Sequence, residues 1–113
     1  MTKIYHNPRC RKSRAGLDYL KSKTTDFETI DYIKSSVSEA EIHEILLKTK
    51  LPIESLLRKQ EDIYKTQISN KILSEKELIA LIIRFPNLMQ RPIVLSGNHA
   101  VIADPPETIN NIL

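Results

Sequence analysis

The apolar positions of this chain fall into short blocks that switch between a two-residue and a helical period. Lys3-Ile4-Tyr5-His6 reads as a strand that stops at Asn7-Pro8, because proline has no amide for a ladder and steers the residue before it away from helix. From Arg11 to Leu20, Ala15, Leu17, Leu20 and a half-buried Tyr19 suit one helical face, which runs out in polar Lys21-Ser22-Lys23-Thr24-Thr25. Phe27 to Tyr32 alternates again and predicts a second strand. Strand, helix and strand in this order form a right-handed parallel unit, with Cys10 at the junction of the first turn and the helix N-terminus.

Two capping boxes follow. Ser38 with Glu41 opens a helix carrying Ile42, Ile45 and Leu46, expected to end before Leu51-Pro52, and Ser74 with Glu77 opens another carrying Leu78, Leu81, Ile82 and Phe85, stopped by Pro86. Between them, Pro52 to Leu57 predicts a short helix with proline at its first position. Residues 38–86 therefore read as a helical insertion. Ile93-Val94-Leu95, the turn Ser96-Gly97-Asn98 and Ala100-Val101-Ile102 predict a β-hairpin, and a closing helix is expected from about Pro106 to Ile112. The expected class is α/β, one domain over residues 1–113, with a central mixed sheet. The order βαβ, helices, ββα with a cysteine after the first strand is the thioredoxin-like arrangement, and Pro92 falls where that fold places a cis-proline facing the active site.

Composition supports one compact unit. The 113 residues include sixteen Ile and thirteen Leu against two Phe, four Tyr and no Trp, enough for an aliphatic core and against intrinsic disorder. No apolar run approaches the roughly 20 residues of a membrane span, and the N-terminus lacks a signal-peptide stretch, so a soluble cytoplasmic protein is expected. The four tyrosines, Tyr5, Tyr19, Tyr32 and Tyr64, read as core-edge packing. His6, His43 and His99 are scattered without an i, i+4 pair, so no metal site is expected.

Charge and the lone cysteine change the picture. Residues 1–17 hold five cations, Lys3, Arg9, Arg11, Lys12 and Arg14, and no acid, leaving twelve cations against fourteen acids in the rest. A basic cluster wrapped around the single cysteine fits a small anion or a thiolate better than a nucleic acid, which calls for a basic stripe interleaved with aromatics. Helix N-terminal amides and neighbouring cations stabilise a thiolate and not the neutral thiol, so Cys10 is the candidate nucleophile. Ser13 shares its helical face and could offer its hydroxyl to the sulfur. With one cysteine there is no internal dithiol, and any resolving thiol must come from another molecule.

The segment Ile4-Tyr5-His6-Asn7-Pro8-Arg9-Cys10-Arg11-Lys12-Ser13-Arg14 resembles the active-site segment of the glutaredoxin-dependent arsenate reductase (ArsC) family. The likeness continues through Leu56-Leu57-Arg58-Lys59, Asn87-Leu88-Met89-Gln90-Arg91-Pro92-Ile93-Val94 and Pro105-Pro106-Glu107, and is strongest to the YfgD-type members, which share Pro-Arg-Cys and the lysine before the serine. The resemblance implies a thioredoxin-like fold in which Cys10 is the catalytic nucleophile on arsenate. It implies Arg58 and Arg91 as oxyanion-binding residues, with His6, Ser13 and Arg14 as thiolate support. It further implies no bound cofactor or metal, glutathione as the reducing co-substrate, glutaredoxin as the partner, and a monomer.

One position departs from the family pattern. Asp104 stands where the family usually has a third anion-binding arginine, and a carboxylate there would repel arsenate and favour the protonated thiol. Two other functions fit the same residues. A glutathione-linked thiol-disulfide oxidoreductase is supported by Cys10 and Ser13 in a Cys-x-x-Ser arrangement. A non-catalytic redox-linked regulator of the same fold would usually carry a Cys-x-x-Cys pair, against which Ser13 argues.

Overall fold

The computed structural model describes all residues, 1–113. Its order is β1 (Thr2–His6), α1 (Arg11–Lys23), β2 (Glu28–Asp31), α2 (Tyr32–Ser35), α3 (Glu39–Thr49), a 3-10 turn (Ile53–Leu56), α4 (Asp62–Gln67), α5 (Glu75–Arg84), a second 3-10 turn (Pro86–Leu88), β3 (Ile93–Ser96), β4 (His99–Ile102) and a third 3-10 segment (Pro106–Asn111). The four strands make one sheet in the order β2-β1-β3-β4. β1 and β2 are parallel, with His6 opposite Asp31, while β1–β3 and β3–β4 are antiparallel. This is the mixed, thioredoxin-like sheet the sequence order implies. No helix is long and apolar enough to cross a membrane.

Alternation along the central strands divides the core. Tyr5, Ile93 and Leu95 point into a large cluster with Ile42 and Ile45 of α3 and Leu78, Ile79 and Ile82 of α5. Ile4 and Val94, one position away, point to the other face and pack with Leu20 of α1, Ala103 and Ile109. A strand period of two sends neighbouring residues to opposite layers, so Ile4 and Tyr5 commit the two faces in a single step. Both capping boxes are present, with the Ser38 and Ser74 hydroxyls accepting from the N–H groups of Glu41 and Glu77.

The elements differ from expectation mainly at their ends. α1 continues to Lys23, because lysines and serine carry a helix without needing burial, and its basic last turn complements the helix dipole. Its buried line is Ser13, Gly16 and Leu20, with Ala15 exposed. A Cβ at Gly16 would run into the Pro92 ring, so α1 can approach the segment that enters β3 only because the position is glycine. Pro52 is the cap residue before the 3-10 turn rather than its first residue. The closing segment is 3-10, not α-helix. The hairpin turn is Gly97-Asn98, with Gly97 at φ 59°, the positive angle such two-residue turns demand. α2 and α4 were not expected, being too short to show a period. The Arg91–Pro92 peptide is cis, as suspected from the position of Pro92, and so is Asp104–Pro105.

Candidate active site

Cys10 is the N-cap of α1, in extended conformation between the turn and the helix. The turn is held from within: the Cys10 N–H donates to the Asn7 carbonyl at 3.0 Å, and the Arg9 N–H donates to Asn7 Oδ1 at 3.0 Å. Asn7 is itself buried, which fixes the turn to the end of β1. Because the first amides of a helix have no intrahelical acceptor, those of Lys12 and Ser13 are free to serve the sulfur. Burial pushes the Cys10 thiol up, yet it ends below its ordinary value. The Arg91 guanidinium, by hydrogen bond and by charge, and the backbone amides of Ser13 and Lys12 outweigh the burial.

His6 and Ser13 meet, but not at the sulfur. The Ser13 hydroxyl accepts from the Asn7 N–H at 2.9 Å and lies 2.7 Å from His6 Nδ1. What Ser13 gives Cys10 is its backbone amide, not the hydroxyl the helical spacing suggested. Burial holds the His6 imidazole below the ordinary histidine value, against the opposing pull of Asp31. A neutral ring accepting the Ser13 proton at Nδ1 satisfies both groups. Arg14 donates from Nη1 to the Pro8 carbonyl at 2.9 Å, stapling the loop from outside while its charge acts on His6.

Arg58 and Arg91 come from a different part of the chain. Arg58 leaves a segment locked to residues 88–90: its N–H donates to Leu88 at 2.8 Å, Leu57 bridges Met89, and the Gln90 N–H donates to Leu56 at 2.7 Å. This pairing carries Arg58 and Arg91 on one short antiparallel ladder, with Arg58 opposite Leu88 and Arg91 just beyond the Gln90–Leu56 bond. Arg58 Nε donates to Glu61 Oε2 at 3.2 Å, which orients the guanidinium. Arg91 is buried; Nη1 donates to the Asn87 carbonyl at 3.0 Å, whereas Nε is buried with no partner in the chain. A buried donor without an acceptor is costly, and a charged one costs most, so this N–H suits an anion.

Two contacts here carry no sequence signal. Tyr32 packs in the large cluster, as the tyrosines are expected to pack, and its hydroxyl also donates to the Met89 carbonyl at 3.2 Å. Burial pushes it up to about 12, moderated by Arg91 and Arg58, and the Cys10 charge acts on it as well, so it sits among all three. No sequence signal separated it from the other tyrosines. Lys12 forms an ion pair with Asp104, Nζ to Oδ2 3.1 Å, so the carboxylate that replaces the expected arginine is neutralised by the residue two after Cys10. No group of three or more His, Cys, Asp or Glu is placed to hold a metal.

The model of the ArsC family matches residues 5–112. The chain is 37% identical to the uncharacterized protein YfgD of Escherichia coli, covering 98% of this chain and 95% of that one. It is 36% identical to an arsenate reductase of Haemophilus influenzae, covering 97% of each. The solved arsenate reductase from Vibrio cholerae superposes with a TM-score of 0.93 at 32% identity, covering 99% of this chain and 97% of that one.

Proposed function

Since this chain belongs to the ArsC family, we propose that it is an arsenate reductase in which Cys10 attacks arsenate, and glutathione with glutaredoxin returns it to the thiol. The observation that carries this reading is the pairing of a thiol lowered by Arg91 with an Arg91 Nε–H that is buried and unpartnered. The same guanidinium can hold the sulfur as thiolate and receive the incoming oxyanion, which places the reacting atoms together without further ordering. Arg58, angled by Glu61, supplies a second planar fork for a tetrahedral anion. His6, Ser13 and Arg14 keep the loop and the α1 amides in place around the sulfur.

The steps follow from one nucleophile and no second thiol. The Cys10 thiolate forms a sulfur–arsenic bond, and one arsenate oxygen leaves as water after taking up a proton. A glutathione thiol then displaces a second oxygen, again as water, giving arsenic(V) bonded to both sulfurs. A glutaredoxin thiolate attacks the glutathionyl sulfur and forms a mixed disulfide. The electron pair of the broken sulfur–arsenic bond stays on arsenic, which becomes arsenic(III). Water releases arsenite and restores Cys10. In this reading the protein works as a cytoplasmic monomer with no bound cofactor.

The test is NADPH consumption with arsenate, glutathione, glutaredoxin and glutathione reductase. Turnover that depends on arsenate and disappears in Cys10→Ser is expected; a folded protein with reactive Cys10 and no such turnover rejects arsenate as the substrate. The Lys12–Asp104 pair favours one second reading, thiol-disulfide exchange with glutathione, because it removes net positive charge from the α1 end of the site. Faster turnover of a glutathionylated peptide than of arsenate would select it.

A further inference from the structure

Beside the Cys10 turn lies a cleft of about 360 Å³ that the arsenate chemistry leaves unused. Asn7, Pro8 and Arg9 form one wall, and Asp31, Ile33 and Lys34 at the end of β2 and in α2 form the other. The register puts it there: His6 is opposite Asp31, so the two chains leave the sheet side by side at the carboxyl ends of parallel strands. That is where open α/β sheets present ligand sites, and the volume is within the range of small-molecule pockets.

Its chemistry is specific in charge. Neither Arg9 nor Lys34 has an acidic partner within 4 Å, so both cations are available to a ligand. Asp31 cannot swing away freely, since Oδ1 accepts the Lys34 N–H at 3.2 Å as the cap of α2. Two cations and one carboxylate leave a single positive charge, which matches one carboxylate and does not draw in a polyanion. Pro8 and Ile33 add apolar surface for a short aliphatic chain.

We propose that this cleft binds a small peptide-like thiol through its terminal carboxylate, held between Arg9 and Lys34, with the sulfur directed toward Cys10. The inference rests on the reading that an external thiol serves Cys10, and it adds where that thiol docks. Cys10 follows Arg9 in the turn and lies outside the cleft lining, so a ligand anchored here extends past the Asn7–Arg9 wall to reach the sulfur. Two charge-assisted bonds to a carboxylate at a partly screened site correspond to roughly a tenfold change in affinity.

The probe is S-methylglutathione, which keeps the carboxylates and cannot form a disulfide, titrated into the protein while backbone amide resonances are followed. Shifts centred on residues 7–10 and 31–34, with affinity about tenfold weaker in the Arg9→Ala/Lys34→Ala double variant, are expected. Thermal melting confirms that the variant is folded. No binding to the wild type, unchanged affinity in the variant, or shifts on another face would overturn the proposal. Parallel turnover assays separate it from the arsenate reading. Arsenate reduction with an unchanged KM for glutathione in the variant sinks the docking site alone. Binding of the probe here without arsenate turnover sinks the arsenate reading alone.

Discussion

The two faces of the sheet are built unequally, with 17 buried residues in the cluster on one side and five in the cluster on the other. The reacting groups divide between them. Arg58 and Arg91 are bracketed by Leu56, Leu57, Leu88 and Met89, all members of the large cluster, so the two arginines are anchored in the thicker layer of the molecule. Cys10 stands at the tip of α1, which is fastened to the thin side chiefly through Leu20 and the Gly16–Pro92 approach. The larger share of stability and the positioning of the thiol therefore fall to different layers, with Arg91 and Pro92 at their junction. Damage to either layer should have its own signature.

The largest loss of stability is expected from the thick side. Ile45→Ala removes a fully buried side chain of α3 and should cost about 2–5 kcal/mol in denaturant unfolding, while the Cys10 reactivity of the folded fraction stays as it was. Gly16→Ala on the thin side should cost less, about 1–3 kcal/mol. It must also displace α1 from Pro92, so it should slow Cys10 alkylation, which Ile45→Ala does not. Equal effects of the two variants on the thiol would break the division. Ser38→Ala, which removes one member of a capping box, should cost about 1 kcal/mol and leave the thiol untouched. The smallest effect is expected at the rim: Asp104→Asn frees Lys12 and should raise arsenate kcat/KM a few-fold at low ionic strength, an increase that salt erases. An unchanged rate at low salt would mean that Asp104 does not influence the anion.

Much of this was legible because each element advertised itself locally. The two Ser–Glu boxes fixed the starts of α3 and α5, the proline after His6 ended β1, and the Gly97 turn defined the hairpin. The lone cysteine within a basic cluster pointed to the turn before α1 as the candidate site, and Cys10 caps that helix. What was not legible depends on contacts far apart in sequence. The Tyr32 hydroxyl is tied to the Met89 carbonyl, 57 positions away, a contact no local pattern announces. Ser13 turned out to serve through its amide, since its hydroxyl was already engaged by His6 and Asn7. The pairing of Lys12 with Asp104 joins opposite ends of the chain, which periodicity cannot reveal.

The central claim is that Arg91 and the α1 amides pull the Cys10 thiol below its ordinary value against the effect of burial. A thiol lowered in the native state stabilises the fold fully above its unfolded value and loses that contribution as pH falls through the native one. Reactivity follows the same titration, rising with pH as the thiolate forms. The direct measurement is the pH dependence of Cys10 alkylation by iodoacetamide in the wild type and in Arg91→Ala. The account predicts a wild-type midpoint below that of free cysteine and an upward move in the variant. A wild-type midpoint at or above that of free cysteine, or one that does not move when Arg91 is removed, would contradict it.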